Sequence, residues 1–169
     1  MNAVLEEKFL RQKQETEDNR KRILFVCTGN TCRSPMAAAL YNALYSGDGS
    51  AAFSAGLAAD GSGISRNAVL ALIGAGIRST EENDYLSHIS HTVTEQDMAA
   101  ADLVVGITGR HAMQLILMYP AYASRITALP RDIADPYGGD LPEYEDCLQQ
   151  IGEALADMFA GADGEDVHE

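Results

Sequence analysis

Residues 23–39 read ILFVCTGNTCRSPMAAA and predict a strand, a tight loop and a helix in succession. This stretch opens with four apolar residues, as expected of a strand that is buried on both faces of a parallel sheet. Pro35 and the apolar run after it indicate a helix, with Ser34 as its N-cap and Pro35 at its first position. Residues 27–34 form a tight loop between the two elements. Such a loop directs backbone N–H groups and a helix N-terminus to one point, which predicts an anion site.

The loop begins with a cysteine, which an anion site does not require. Cys27 faces the loop amides, the helix N-terminus and the guanidinium of Arg33, which all favour a thiolate. The same donors suit the oxygens of a phosphoryl group, and the phosphorus would lie above the sulfur, ready for in-line attack. Gly29 and Asn30 tolerate the positive φ that an inward-curling loop requires. Ser34 has two possible roles, as a helix cap and as a donor to the thiolate.

The single residues of the loop also have ordinary interpretations. A buried cysteine is usually a small apolar residue, and a Gly-Asn pair is usually a turn. A nucleotide-binding Walker loop is excluded because the pattern G-x-x-x-x-G-K-[ST] is absent. The combination Cys-x₅-Arg-Ser between a buried strand and a helix start is much rarer by chance, and it favours a catalytic loop.

Residues 27–36, CTGNTCRSPM, resemble the loop of the low-molecular-weight protein tyrosine phosphatase family, in particular its bacterial protein arginine phosphatase branch. The resemblance covers about residues 21–160. It implies that Cys27 is the nucleophile and that Arg33 binds the phosphoryl group. It further implies a set of loop residues that surround the substrate: Thr28, Gly29, Asn30, Thr31, Cys32 and Ser34.

The resemblance also implies a supporting role for residues outside the loop. Asn30 would hold the loop in shape through Ser34, through Ser54 of the Ser-Ala-Gly segment and through His88. The sequence around His88, SHISHTVT, is similar to the segment that supports this loop in the family. By itself a lone histidine is usually a surface or hydrogen-bonding residue, and His91 keeps that interpretation.

A second motif, DPYGGD at residues 135–140, follows the predicted fourth strand and returns to the same end of the sheet. Taken alone, Asp-Pro-Tyr-Gly is a turn sequence. The family resemblance implies instead that Asp135 is the general acid and base and that Tyr137 forms a wall of the pocket. Asp132 and Asp140 remain alternatives for the acid.

Two positions bear on the substrate. Tyrosine-specific members of the family usually carry a bulky aliphatic residue where this chain has Thr31, and a second aromatic residue where it has Gly138. A threonine hydroxyl suits a planar, polar guanidinium, and one aromatic fewer leaves less stacking surface for a phenyl ring. The resemblance therefore implies hydrolysis of phosphoarginine on proteins.

Three other functions remain open at this stage. The nearest is a low-molecular-weight protein tyrosine phosphatase. An arsenate reductase of the same fold would need further redox cysteines, and the chain has only Cys147 downstream of the loop, where a structural role is expected. A phosphoprotein-binding module without activity is disfavoured because candidates for nucleophile, phosphate ligand and acid are all present.

The composition limits the partners. The net charge of −13 disfavours nucleic acid and anionic membranes, and phosphorylated proteins are the expected partners. No run approaches the roughly 18 apolar residues of a membrane span, and the charged N-terminus is unlike a secretory signal. Three cysteines do not form a disulfide framework, so a cytoplasmic protein is expected. No cofactor is predicted, and neither His88 nor His91 stands at metal-ligand spacing from other ligand types, so no metal is predicted.

The order of elements predicts an α/β fold in a single domain. Strands are expected at residues 23–26, 51–55, 103–108 and 125–129. Helices are expected at residues 35–46, 65–73, 109–118 and 141–160, with a short one after Thr94. Alternating strands and helices indicate a three-layer α/β/α arrangement around a four-stranded parallel sheet, flavodoxin-like or Rossmann-like. A phosphatase domain is expected at residues 22–161, after a polar extension at 1–21 and before an acidic tail at 162–169.

The extension and the second loop cysteine carry one expectation each. Residues 1–21 are expected to form a polar extension, helical or mobile, for which a solvated arm or a partly disordered leader is favoured over a partner-binding helix. Cys32 shares the loop with Cys27, and a reversible disulfide between them would protect Cys27 from over-oxidation.

Overall fold

A computed structural model of the chain describes residues 2–18 and 21–160. Its centre is one sheet of four parallel strands in the order β2-β1-β3-β4, which confirms the α/β fold and the predicted strand number. The strands are β1 (Arg22–Cys27), β2 (Ala51–Gly56), β3 (Leu103–Gly106) and β4 (Ile126–Ala128). Cys27 ends the strand that lies between β2 and β3, so the loop after it opens at the carboxyl edge of the sheet, where ligands of such sheets bind.

Helices cover both faces of the sheet. They are α1 (Ala3–Asp18), α2 (Arg33–Leu44), α3 (Arg66–Gly74), α4 (Glu95–Ala100), α5 (Gly109–Met118) and α6 (Leu141–Phe159). Successive residues of β1 point to opposite faces. Ile23 and Phe25 pack with α2, α3 and α6, whereas Leu24 and Val26 pack with residues of α4 and α5. The apolar run of β1 is therefore buried on both faces, as its sequence predicts.

The start of α2 differs from the sequence prediction. Cys32, and not Ser34, is the N-cap residue, because Met36 N–H already donates to Cys32 O, and the helix begins at Arg33. Pro35 consequently lies at the third helical position instead of the first. The Ser34 hydroxyl is engaged by Cys27 and Asn30 and does not cap the helix.

Several other boundaries move by one or two residues. α2 ends at Leu44, and a 3₁₀ turn follows at Ser46–Asp48. The strand predicted at 103–108 ends at Gly106, because Thr108 caps α5. Thr94 caps α4, as predicted. A side chain on Gly106 would lie 2.6 Å from Ala112 N, so only glycine allows α5 to approach the sheet edge this closely.

The N-terminal segment contains the expected helix, and its apolar residues Val4, Leu5, Phe9 and Leu10 are exposed. The predicted boundary at 161–162 and the acidic tail lie outside the described residues. Within residues 2–18 and 21–160, no helix combines the length and apolar character required to cross a membrane.

Candidate active site

The loop after β1 forms the floor of a cleft of about 320 Å³. Carbonyl groups of Cys27, Thr28 and Thr31 accept hydrogen bonds from the segment between β2 and α3, which fixes the outer side of the loop. In contrast, the N–H groups of residues 28–33 donate to no other described residue. These donors and the N-terminus of α2 are the groups on which the predicted anion site depends. The residues that line the cleft are Cys27, Thr28, Gly29, Asn30, Thr31, Cys32, Arg33, Ala58, Asp60, Ser62, Asp135 and Tyr137.

Cys27 lies at the base of this cleft, and its sulfur is 2.9 Å from the Ser34 hydroxyl oxygen. The Asn30 amide nitrogen donates to the same hydroxyl at 2.8 Å. The single proton of Ser34 is therefore directed either to the Cys27 sulfur or to Ala55 O, which is farther away at 3.4 Å. Donation to sulfur favours a thiolate, so this contact fits the second of the two roles predicted for Ser34, that of a donor to Cys27.

Asn30 holds the loop from its centre. It is fully buried and has a positive φ of 60°, a conformation that asparagine adopts more readily than most residues. Its amide nitrogen donates to the Ser54 hydroxyl at 3.0 Å as well as to Ser34. His91 N–H donates to the Asn30 side-chain oxygen at 3.1 Å. The loop is thereby joined to β2 and to the segment before α4.

His88 contacts the backbone of the same residue, with Nε2 2.8 Å from Asn30 O. A carbonyl only accepts, so Nε2 carries the proton. Burial lowers the pKa of His88 below its usual value, which favours the neutral ring. The structure therefore brings Ser34, Ser54 and His88 together around Asn30. The main-chain contact from His91 is an addition, because sequence patterns of side chains do not reveal backbone donors.

Arg33 is buried in the wall of the cleft, with 6% of its surface exposed. One guanidinium nitrogen donates to Ile133 O at 2.9 Å, and another lies 3.6 Å from the Asp135 carboxylate. Asp135 is half exposed at the rim, and its other oxygen accepts from Tyr137 N–H. The Ile133 carbonyl thus fixes one side of the guanidinium. The other side faces the cleft and forms an ion pair with Asp135, the residue predicted to be the acid.

The other two candidate acids lie elsewhere. Asp132 accepts from Gly109 N–H at 2.9 Å, at the start of α5, and Asp140 is the N-cap of α6. Neither of them lines the cleft, whereas Asp135 does. Of the three candidates, Asp135 therefore has the carboxyl group that can contact a ligand in the cleft.

His111 is a component of this region that the sequence did not reveal. It is 5% exposed, and its Nε2 lies 3.0 Å from the Thr28 hydroxyl oxygen. Thr108 N–H donates to its Nδ1, so the proton resides on Nε2 and is donated to Thr28. Burial, reinforced by the nearby Arg33 charge, lowers the pKa of His111 to about 4. The pattern Thr108-x-x-His111 resembles a capping box, which is the one sequence signal that could have indicated this histidine.

The remaining cysteines are buried beside the site. The Cys32 sulfur lies 3.2 Å from the Tyr144 hydroxyl oxygen and 3.5 Å from the Ser65 hydroxyl oxygen. Cys147 is 4% exposed on α6, and its thiol contacts Ala134 O at 3.9 Å. Burial raises the pKa of the Cys147 thiol to about 12, so this group stays protonated and packs as a small side chain.

The outer walls of the cleft are unequal. Tyr137 is 77% exposed and is the only aromatic residue of the cleft lining in the described part of the chain. On the other side lie Ala58, Asp60 and Ser62 from the segment between β2 and α3. The Asp60 carboxylate accepts from both the N–H and the hydroxyl of Ser62, and these bonds lower its pKa. It therefore adds a fixed negative charge to the rim.

Comparison with known proteins shows to which family a chain with this site belongs. Residues 22–167 match the family described as "Low molecular weight phosphotyrosine protein phosphatase". The chain belongs to this family. The fold, the cysteine-arginine loop and its position after the first strand are thus those of a low-molecular-weight protein phosphatase, which confirms the family resemblance found in the sequence.

Individual relatives of this phosphatase carry different names. A protein-arginine-phosphatase of Bacillus subtilis is 34% identical over 146 residues, which cover 80% of the chain and 93% of that protein. An arsenate reductase of Brevibacillus brevis is 33% identical, with 80% of the chain and 91% of that protein covered. Among solved structures, the YwlE arginine phosphatase in a mutant form with a phosphorylated active-site serine has a TM-score of 0.72 at 33% identity. That match covers 81% of the chain and 93% of the solved one.

Proposed function

We propose that this phosphatase hydrolyses phosphoarginine on proteins through a phosphocysteine intermediate on Cys27. The observation that carries the proposal is the Cys27 sulfur at the base of the cleft, 2.9 Å from the Ser34 hydroxyl, in a loop whose N–H groups have no partner among the described residues. Buried Arg33 supplies a positive charge beside it. This combination favours a thiolate nucleophile and a bound phosphoryl group at the same point.

In the first step, the Cys27 thiolate attacks phosphorus in line with the leaving nitrogen. The S–P bond forms, the P–N bond breaks, and Asp135 gives its proton to the departing guanidine nitrogen. The loop N–H groups and the Arg33 guanidinium hold the three oxygens of the phosphoryl group throughout. Arginine leaves with its ordinary guanidinium charge.

In the second step, water attacks the phosphocysteine. Asp135, now a carboxylate, removes a proton from this water as the O–P bond forms, and the S–P bond breaks. Inorganic phosphate and the thiolate of Cys27 are released, with the Ser34 hydroxyl donating to the sulfur again. One carboxyl group serves both steps because its protonation alternates between them.

The charges of the cleft favour phosphoarginine over phosphotyrosine. Behind its phosphoryl group, a phosphoarginine side chain carries a planar guanidinium, whereas phosphotyrosine carries a neutral ring. The rim of the cleft presents the carboxylate of Asp60 to this position, and Thr31 lies on the floor. Among the described residues of the lining, Tyr137 alone offers an aromatic surface, so stacking on a phenyl ring is limited to one wall.

The names of similar proteins also favour phosphoarginine as the substrate. The Bacillus subtilis relative bears the name protein-arginine-phosphatase, and a YwlE mutant has been solved with a phosphorylated serine in its active site. The alternative of arsenate reduction has weaker support from this chain. Its only cysteine downstream of the loop is Cys147, which is buried and has a raised pKa.

Turnover on a phosphoarginyl peptide and on a phosphotyrosyl peptide of otherwise identical sequence tests the proposal. We expect a higher kcat/KM for phosphoarginine, and Thr31→Ile should shift the ratio toward phosphotyrosine. Thr127→Ile, at an exposed position of β4 outside the cleft, is the control. A wild-type ratio that favours phosphotyrosine would establish the family's tyrosine phosphatase activity as the function instead.

The covalent step has a separate test. Acid quenching during turnover should trap a phosphoryl group on Cys27, detectable by mass spectrometry of the peptide that contains it. Cys27→Ser should abolish turnover, whereas Cys147→Ser should retain it. Full turnover by Cys27→Ser would contradict the covalent mechanism, and binding of phosphopeptides without turnover by the wild type would indicate a binding module.

A further inference from the structure

A second cleft, of about 580 Å³, adjoins the candidate active site. The two share Thr28 and Ala58 as a common wall, and Ala58 is exposed and has a small side chain. A polypeptide whose modified side chain enters the first cleft can therefore continue into the second across this wall. We call the second cleft the flanking groove; its further lining residues are Leu57, Arg110, His111, Gln114, Leu117 and Met118.

One face of α5 forms the long side of the flanking groove. Arg110, Gln114, Leu117 and Met118 are spaced i, i+4, i+7 and i+8, so they share a face of the helix. Leu117 is 74% exposed and Met118 is 49% exposed. Most exposed apolar side chains are scattered, but these two lie together along a depression beside a site that acts on proteins.

The charge of the flanking groove is opposite to that of the molecule. Among the described residues that line the groove, Arg110 alone carries a charge at neutral pH, because burial lowers the pKa of His111 and keeps its ring neutral. The whole chain, in contrast, has a net charge of −13. Among the described residues, no carboxylate lies within ion-pair distance of the Arg110 guanidinium. A ligand segment that combines an apolar and an acidic side chain would complement this surface.

We infer that the flanking groove binds the substrate polypeptide next to its phosphorylated residue, with an apolar side chain against Leu117 and an acidic side chain at Arg110. This inference rests on the proposed function only in that the substrate is a protein. Because the groove touches no reacting atom, its contacts are made equally in the ground state and in the transition state. They should therefore lower KM and leave kcat unchanged.

The test uses two series of phosphopeptides, one phosphoarginyl and one phosphotyrosyl, with leucine and glutamate moved through the positions on either side of the modified residue. In the wild-type enzyme, one placement should lower KM by about tenfold relative to an alanine background. Leu117→Ser should remove the advantage of leucine, and Arg110→Ala should remove that of glutamate. Matched controls are Leu44→Ser and Arg78→Ala, exposed residues that line neither cleft.

The ratio of kcat/KM on peptide to kcat/KM on p-nitrophenyl phosphate isolates the groove, because the small aryl phosphate has no flanking residues. Equal KM values for all placements in phosphopeptides that are turned over would overturn the inference and leave the proposed function intact. The same placement preference in phosphotyrosyl peptides alone would support the groove and overturn the phosphoarginine assignment. If Leu117→Ser differs from the wild type in sedimentation coefficient but not in KM for peptides, the inference is overturned and the groove is a surface for self-association.

Discussion

The Nε2 atom of His111 lies 3.0 Å from the hydroxyl oxygen of Thr28, although 83 positions separate the two residues. Because Nδ1 of the ring accepts from Thr108 N–H, His111 is a neutral donor that joins the start of α5 to the phosphate-binding loop. The loop is therefore held from two sides, by Asn30 toward β2 and by His111 toward β3. Its shape depends on the packing of α5 as well as on its own sequence.

The buried state of His111 predicts a pH-dependent stability. Its pKa falls from 6.5 in the unfolded chain to about 4 in the folded one. Between these values the unfolded state binds a proton that the native state does not, so the free energy of unfolding decreases as pH falls from about 6.5 to about 4. Across this pH range, protonation of His111 lowers the free energy of unfolding by about 3 kcal/mol.

His111→Gln should flatten this dependence, because glutamine keeps the capping-box position but does not titrate. Urea unfolding at a series of pH values between 4 and 7 measures the effect. Met113→Gln, at an exposed position of the same helix, is the control and should keep the wild-type slope. An unchanged slope in His111→Gln would show that the ring does not stay neutral in the folded state.

Asn30 should be required both for its amide and for its backbone conformation. Asn30→Gly removes the amide contacts and tolerates a positive φ, whereas Asn30→Ala adds strain of about 1 kcal/mol. We expect both variants to lose about 10²-fold in kcat/KM, with the alanine variant less stable in urea. Wild-type kcat/KM in Asn30→Gly would contradict a positioning role for the amide.

Asp135→Asn should lower kcat by about 10²–10⁴-fold if this carboxyl group is the acid. The loss should be smaller for aryl phosphates whose leaving group is a weak base, because these need less protonation. Asp132→Asn and Asp140→Asn are the controls. Asp140 is the N-cap of α6, and asparagine caps a helix as well as aspartate does. A comparable loss for all leaving groups would assign Asp135 a structural role.

Asp60→Asn should reduce the preference for phosphoarginine. Loss of one exposed charge at the rim should lower the ratio of kcat/KM on phosphoarginine to that on phosphotyrosine by about fivefold, and less at high salt. Asp48→Asn is a matched control, since Asp48 accepts from the N–H and hydroxyl of Ser50 just as Asp60 does from Ser62. An equal ratio in Asp60→Asn and wild type would exclude this carboxylate from specificity.

Mild peroxide should form a disulfide between Cys27 and Cys32. Peroxide converts the Cys27 thiolate to a sulfenic acid, and the Cys32 thiol displaces water from it, so the loop peptide loses two hydrogens. Cys32 must first leave Tyr144, and Tyr144→Phe should therefore speed the reaction. Cys32→Ser should give irreversibly oxidised Cys27, whereas Cys147→Ser should behave as wild type. Absence of the mass loss in the loop peptide would refute the prediction.

Elements whose contacts are local can be predicted from the amino-acid sequence alone. The apolar run of β1, the alternation of strands and helices, and the loop from Cys27 to Ser34 follow from hydrophobic periodicity and from motif spacing, because both depend on neighbouring residues. The family resemblance added Ser54 and His88 to the loop. The N-cap prediction at Ser34 was wrong because the helix already begins at Arg33, and the Ser34 hydroxyl oxygen accepts from the Asn30 amide and faces the Cys27 sulfur instead of a helix N–H.

Which distant residues meet at the site depends on how the elements pack. The approach of His111 to Thr28, the position of Asp135 in the cleft lining without Asp132 and Asp140, and the charge of Asp60 at the rim are such features. They depend on the strand order β2-β1-β3-β4, which places the loops after three different strands at one edge of the sheet. The spacing of these residues along the chain does not reveal that their loops meet, because the distance between the loops depends on how the intervening segments pack.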